Sequence, residues 1–117
     1  MSVSPADFMD SASALSLGAD EMAQRNALSR AYYAAFHRAA VSYPPEENRR
    51  GGTGMHRNYL DQLQNHQAGS KERIVGAKLT QLYQRRVLAD YRLQNSLQTD
   101  AVARQLDTAK QIFSLLD

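Results

Sequence analysis

Apolar residues recur every three to four positions along most of the chain, which is the spacing of helices that bury one face. No segment shows the strict alternation of a half-buried strand, an internal repeat or a sustained heptad. The pattern therefore predicts an all-α fold, a compact antiparallel bundle of about five helices. We place the first two from Pro5 to Leu17 and from Asp20 to Ser42. The third is short, begins at Met55 and includes Leu63, and the polar run through Gly69 ends it. The fourth runs from the cap Ser70 to Asp90 or Tyr91, and the fifth from Asp100, after a cap at Thr99, to Leu116.

The longest break in this pattern lies between the second and third helices. Pro44 and Pro45 stop the second helix, and residues 44–54 then combine three glycines with the pair Arg49-Arg50. This composition predicts a mobile loop. Long loops in small domains are often functional, so its basic residues are candidates for binding.

In the fourth predicted helix, an arginine continues a line of apolar residues. The line consists of Ile74, Val75, Leu79, Leu82 and Arg86. Because a partly buried arginine needs a counter-charge, Asp90, one turn further on, is its expected partner, with Tyr91 beside it. The cluster of Arg86, Asp90 and Tyr91 is either a structural pair that anchors helix ends, which we favour, or part of a binding site.

Composition limits the classes of protein that the chain can represent. Its 117 residues, of which 43% are hydrophobic and 22% charged, suit one globular domain over residues 1–117. There is no cysteine, which excludes disulfides, thiolate metal sites and cysteine nucleophiles. No signal-peptide pattern and no apolar run of membrane-spanning length occurs, so we expect a cytoplasmic protein that does not enter membranes. The formal net charge of +2 permits contact with phosphates without indicating a dedicated nucleic-acid surface.

The segment from Arg25 to Ala40 separates two unlike faces when it is projected as a helix. The apolar face consists of Leu28, Tyr32, Ala35 and Ala39, and the opposite face of Asn26, Arg30, Tyr33 and His37. Imidazole can move a proton to or from a ribose hydroxyl, and guanidinium can stabilise the charge that develops on a phosphate. The second face is therefore either a reactive surface for phosphodiester chemistry or a set of solvated and interface residues, which is the commoner role.

A second basic group surrounds the predicted loop. His56 follows its glycines, and Arg49, Arg50 and Arg57 lie nearby, so contact with phosphate is plausible here. The glycine-rich run is not a nucleotide-binding fingerprint, since no Lys-Ser or Lys-Thr follows it and no strand precedes it. His66 is expected to be exposed. No histidine pairs with acidic residues at metal-ligand spacing, so neither a metal nor another cofactor is predicted.

Four segments become informative when their order and spacing are taken together. They are SRAYYAAFH from Ser29 to His37, Gly54 with His56 at a helix start, RVLADY from Arg86 to Tyr91, and a last helix with Ala109 and Phe113. They span about 85 of the 117 residues, and together they resemble the HEPN family (higher eukaryotes and prokaryotes nucleotide-binding), in particular its small free-standing prokaryotic members. The resemblance implies a HEPN-like bundle that forms a homodimer with a cleft between the subunits.

The same resemblance implies a function that involves RNA. Many HEPN proteins are metal-independent ribonucleases of toxin-antitoxin or defence systems, whose active residues are an arginine, four to six intervening residues and a histidine. Arg30 and His37, with six residues between them, satisfy that interval, as do Arg50 and His56 with five and Arg49 and His56 with six. In some relatives a partner nucleotidyltransferase modifies a tyrosine two residues after the histidine, where this chain has alanine.

The leading hypothesis is a homodimeric endoribonuclease in which a ribose 2′-hydroxyl attacks the adjacent phosphate. His37 would handle the proton, Arg30 would stabilise charge and Tyr33 would position the substrate. The further candidates for substrate binding are Arg49, Arg50, His56, Arg57 and Arg86. The alternative is a non-catalytic HEPN module that binds nucleotide or accompanies a minimal nucleotidyltransferase antitoxin, and a plain helical interaction domain is a third hypothesis.

Overall fold

The chain folds into five helices in a computed structural model that describes residues 2–46 and 54–117. They are α1 (Pro5–Ser16), α2 (Glu21–Ser42), α3 (Met55–Gln64), α4 (Lys71–Tyr91) and α5 (Ala101–Leu115). The described residues include no strand, so the predicted all-α helical bundle is confirmed. Arg49 and Arg50, with most of the predicted loop, lie outside the described residues. Among the five helices of this structure, none has the length and apolarity that crossing a bilayer requires.

Side-chain caps fix the start of three helices at the predicted positions. Ser4 and Asp7 form a reciprocal capping box: the Ser4 hydroxyl accepts from the Asp7 nitrogen at 3.2 Å, and the Asp7 carboxylate accepts from the Ser4 nitrogen at 2.8 Å. Asp20 and Ser70 each accept from the backbone nitrogen three residues later, at 2.7 and 3.2 Å. The local sequence is therefore sufficient to start α1, α2 and α4.

The start of α5 differs from the prediction. Thr99 is not its cap; the helix begins at Ala101 after Asp100, whose side chain makes no capping hydrogen bond. The reason is a turn, closed by a hydrogen bond of 3.1 Å from the Ala101 nitrogen to the Gln98 carbonyl. This turn occupies the positions that the sequence pattern assigns to the cap and the first helical residue.

Helix α2 lies at the centre of the bundle and packs against α1, α4 and α5. Its alanines Ala27, Ala31, Ala34, Ala35 and Ala39 have no accessible surface. Such small side chains let neighbouring helices come close to the α2 backbone. The predicted apolar face of this segment is confirmed, since Leu28 and Tyr32 are buried with the alanines.

Helix α3 packs against α4 at Gly76. A Cβ atom at this position would lie 2.9 Å from the Leu63 Cβ, closer than real Cβ atoms come, and 3.3 Å from the Gln64 nitrogen, which is a tight contact. Glycine therefore sets how closely the two helices approach.

The predicted apolar line of α4 is partly confirmed. Val75, Leu79 and Leu82 are fully buried, whereas Ile74 is 41% exposed. Adjacent residues point about 100° apart around a helix, so Ile74 cannot share the inward direction of Val75. Arg86 does continue the line inward, and its side chain is 12% exposed.

One arginine, which the sequence pattern does not mark as buried, closes the C-terminal end of α4. Arg25 of α2 is 3% exposed. Its Nη1 donates to the carbonyls of Leu88 and Ala89 at 3.1 and 3.0 Å, and its Nη2 donates to that of Asn95 at 2.7 Å. Its Nε donates to Glu21 at 2.8 Å. The last carbonyls of a helix have no partner within it, and Arg25 supplies donors for them.

Gln105 is the second buried polar residue and has no accessible surface. Its Nε2 donates to the carbonyl of Leu28 in α2 at 3.1 Å and to that of Leu82 in α4 at 3.0 Å. Its Oε1 accepts from Nη1 of Arg85 at 3.1 Å. One side chain of α5 thus joins three helices, with both ends of its amide hydrogen-bonded.

Candidate active site

Aromatic and imidazole rings from three helices meet at one place in the bundle. We call this group the aromatic cluster; it consists of Tyr32, Tyr33 and Phe36 of α2, His56 of α3 and Tyr83 of α4. The centroid of the His56 ring lies 4.6 Å from that of Phe36, 5.4 Å from Tyr32 and 5.8 Å from Tyr33. The cluster places a half-buried histidine within an aromatic surrounding.

A hydrogen bond of 2.7 Å joins the Tyr32 hydroxyl to Nδ1 of His56. The hydroxyl makes no other hydrogen bond with a described residue, so its own proton is used only if Tyr32 donates and Nδ1 accepts. Burial raises the pKa of Tyr32, which keeps that proton on the phenol. A neutral His56 ring that accepts at Nδ1 carries its proton on Nε2.

The surroundings of His56 also favour its neutral form. Burial lowers the pKa of His56 below its usual range, and the charges of Arg86 and His37 lower it further. His56 is therefore a neutral hydrogen-bond donor at pH 7. To act as a general base at Nε2, His56 would need the other tautomer, in which the proton is on Nδ1.

Arg86 lies beside the aromatic cluster, with its guanidinium over several tyrosine rings. Its Cζ is 5.2 Å from the ring centroid of Tyr33, and 5.8, 5.9 and 5.9 Å from those of Tyr32, Tyr83 and Tyr91. Such cation–π contacts hold a guanidinium in one orientation. On the other side its Nε donates to Asp90 at 3.2 Å.

The carboxylate of Asp90 is shared. The oxygen that accepts from Arg86 Nε also accepts from the Ser29 hydroxyl at 3.3 Å. Nη1 and Nη2 of Arg86 make no hydrogen bond with a described residue. The Arg86–Asp90 contact is thus a single hydrogen bond, in contrast to the two parallel ones that a guanidinium and a carboxylate can form.

His37 lies one helical turn after Tyr33 and faces α1. Its ring centroid is 5.1 Å from Phe8 of α1 and 5.1 Å from Phe36. It is half-buried, and neither ring nitrogen forms a hydrogen bond with another described residue. The ring also borders a cleft of about 470 Å³, whose other lining residues are Val3, Ser4, Pro5, Phe8, Ala40 and Val41. The imidazole is thus free of internal partners at the edge of an apolar cleft.

Arg30, the other half of the predicted catalytic pair, is exposed. Its Cζ lies 6.0 Å from the ring centroid of Phe8, the same ring that His37 contacts. Both side chains therefore reach one aromatic residue of α1. Phe8 carries no feature in the sequence that would associate it with this pair.

The structure brings together some of the predicted site residues and separates others. Tyr33, His37, His56 and Arg86 lie in or beside the aromatic cluster, with Asp90 and Tyr91 at its edge. Arg57 is exposed on α3 and forms no part of it. The intervals from Arg49 and Arg50 to His56 cannot be placed, because both arginines lie outside the described residues. Among the residues of the described ranges, no three histidine or acidic side chains lie close enough together to hold a metal ion.

No family model, curated protein or solved structure matches this chain. The HEPN resemblance therefore depends on the four sequence segments alone and stays a prediction. So do the homodimer and the nucleotidyltransferase partner that it implies.

The lowered pKa of His56 predicts a loss of stability on acidification. The unfolded chain binds a proton on this ring near pH 6.5, whereas the folded chain binds it only at lower pH. The contribution of the neutral ring to stability is complete above about pH 6.5 and is lost as the pH falls through the lowered value. The melting temperature of the wild type should therefore drop more between about pH 7 and pH 5 than that of His56→Gln, measured by circular dichroism.

A matched control for this experiment is His66→Gln, because His66 is exposed at the end of α3. Its melting temperature should follow the pH dependence of the wild type. An equal or steeper pH dependence in His56→Gln would contradict the assignment of a neutral, buried ring.

Proposed function

We propose that this chain is a metal-independent endoribonuclease of the HEPN type, acting as a cytoplasmic homodimer in a toxin-antitoxin or defence system. The observation that supports this most directly is His37, a half-buried imidazole whose nitrogens have no partner among the described residues and which borders a cleft. No buried side-chain nitrogen among the described residues is without a partner, so the unbonded nitrogens of His37 are accessible to solvent. His37 therefore lies within reach of a ligand.

In the proposed reaction His37 accepts the proton of a ribose 2′-hydroxyl, whose oxygen attacks the adjacent phosphorus. The bond from phosphorus to the 5′-oxygen breaks, the proton that His37 has accepted is delivered to that oxygen, and a 2′,3′-cyclic phosphate remains on the upstream product. Arg30, exposed near Phe8, stabilises the negative charge that develops on the phosphate oxygens. Tyr33, whose ring lies 6.3 Å from that of His37, positions the substrate by contact.

The apolar cleft beside His37 supports a nucleic-acid substrate. Unpaired bases stack on aromatic side chains, and Phe8 and Tyr33 present two rings, with centroids 6.4 Å apart, next to the imidazole. The guanidinium groups of Arg30 and Arg86 flank these rings. A base against the rings would place its own ribose and phosphate near the two cations.

The proposal is tested by incubating the purified protein with 5′-labelled single-stranded RNA in the presence of EDTA. Cleavage with products that end in 2′,3′-cyclic phosphate is the expected result. Retention of RNA on the protein without cleavage would contradict the enzyme and favour the non-catalytic module. If neither RNA nor nucleotide binds, the result would support the third hypothesis, a plain helical interaction domain.

A further inference from the structure

Arg86 is a largely buried cation that is incompletely used inside the chain. Its side chain is 12% exposed, yet only Nε has a hydrogen-bond partner among the described residues. No buried side-chain nitrogen among the described residues is without a hydrogen-bond partner, so the unbonded Nη1 and Nη2 of Arg86 are accessible to solvent. The two terminal nitrogens therefore retain the capacity to bind an anion.

The direction of those nitrogens is fixed from several sides. Four tyrosine rings lie within 5.2–5.9 Å of Cζ, and Asp90, held by Ser29, occupies the Nε edge. A guanidinium held in this way loses little further conformational freedom when a ligand binds.

His56 lies against the same rings as Arg86. The centroid of its ring is 5.4 Å from Tyr32, 5.8 Å from Tyr33 and 6.4 Å from Tyr83, and Arg86 contacts all three. The Tyr32 hydroxyl fixes the proton of His56 on Nε2. A charged and a neutral donor group thus border the same three rings, and Arg86 is close enough to His56 for its charge to add to the effect of burial and lower the pKa of His56 further.

We propose that Nε2–H of His56 and the terminal nitrogens of Arg86 form a phosphate-binding subsite, which takes the phosphate of a nucleoside 3′-monophosphate or of an RNA strand. Arg86 supplies the charge and a two-pronged contact to phosphate oxygens. His56 supplies a neutral donor that does not repel Arg86. Tyr32 is a positioning residue, because it acts on the ligand only through the tautomer of His56.

This inference rests on the proposed function for the identity of the ligand as RNA, although phosphate binding itself does not require catalysis. In an RNA complex the subsite would hold a phosphate next to the one that the ribose 2′-hydroxyl attacks, and so would orient the strand. Among the described residues, Asp90 is the acidic group that forms an ion pair with Arg86, and its hydrogen bond to Nε leaves Nη1 and Nη2 unbonded.

The test uses protein labelled with ¹⁵N-histidine, titrated by NMR first with inorganic phosphate and then with uridine 3′-monophosphate. The expected result is a saturable shift of the His56 Nε2 signal, with Nδ1 in the unprotonated range before the ligand is added. Arg86→Gln should weaken binding roughly tenfold or more, since a charged hydrogen-bonding partner is lost. Arg73→Gln, which removes an exposed arginine of the same helix, should bind as the wild type does.

Two variants keep the experiment decisive if Arg86→Gln does not fold. Arg86→Lys retains the positive charge but lacks the two terminal guanidinium nitrogens, so it should bind phosphate more weakly than the wild type. Tyr32→Phe removes the hydroxyl that bonds to Nδ1 and should give His56 a mixture of tautomers. A titration that leaves the His56 signals unchanged, or one that is identical in Arg86→Lys and the wild type, would overturn the subsite.

The outcomes also separate this inference from the proposed function. Phosphate binding at His56 in a protein that does not cleave RNA would uphold the subsite and reject the enzyme. RNA cleavage that is undiminished in Arg86→Lys, with no shift of His56 by phosphate, would uphold the enzyme and reject the subsite.

Discussion

An Arg25→Ala variant is expected to lose about 1–3 kcal/mol of its free energy of unfolding, the usual cost of leaving buried hydrogen-bonding groups without a partner. The guanidinium is 3% exposed and donates to backbone carbonyls at the end of α4 and in the segment after it. Alanine would remove the donors of the Ala89 and Asn95 carbonyls, whereas the Leu88 carbonyl would still accept from the Arg92 nitrogen at 3.1 Å. Because small domains are stable by only about 5–15 kcal/mol, the loss would be a large fraction of the total.

Urea denaturation followed by circular dichroism measures this effect, and Arg92→Ala is the matched control. Arg92 is exposed and lies directly after the same helix, so its removal should change stability little. The free energy of unfolding of Arg25→Lys should fall between those of Arg25→Ala and the wild type. One ammonium group cannot reach all the carbonyls that the guanidinium of Arg25 contacts. A change below about 1 kcal/mol in Arg25→Ala would show that Arg25 does not support α4.

His37→Ala is expected to lower the rate of RNA cleavage by about a hundredfold to ten-thousandfold, the usual contribution of general acid–base catalysis. The ring is half-buried at the edge of the bundle and hydrogen-bonds to no described residue, so its loss should leave the fold intact. The measurement is the initial rate on labelled RNA in EDTA, together with the melting temperature. Full activity in His37→Ala would end its catalytic assignment.

The control for this experiment is His66→Ala, which removes a histidine at the far end of α3, 3.8 Å from Glu72. It should cleave RNA at the wild-type rate. Arg30→Ala, compared with Arg104→Ala on the exposed face of α5, tests the second half of the pair in the same assay. A loss in both members of either comparison would point to general destabilisation of the protein.

Much of the fold is predictable from the chain because its determinants are local. Ser4, Asp20 and Ser70 each bond to a backbone nitrogen only three residues away, so their sequence context contains the whole interaction. The inward direction of Arg86 is predictable for a related reason, since it continues the spacing of Leu79 and Leu82.

The buried polar groups could not be predicted in this way. Arg25 and Gln105 each lie three residues from an apolar residue of their helix, but residues of these types are mostly exposed, and their burial depends on carbonyls up to 70 and 77 residues away in the chain. The same holds for Tyr32: its spacing indicates the core, but the partner of its hydroxyl, His56, lies 24 residues further on. Only the fold, which brings side chains of α2 and α3 together, reveals that a core tyrosine is hydrogen-bonded to His56.

The central position of α2 has a consequence for how this protein can change. One helix carries the alanines on which its neighbours pack, the arginine that closes α4 and the histidine proposed to act on RNA. A substitution near His37 that altered the proposed reaction would therefore fall on α2, the helix against which the others pack. New specificities are easier to acquire from α1, whose Phe8 borders the same cleft from the periphery, than from the helix that holds the imidazole.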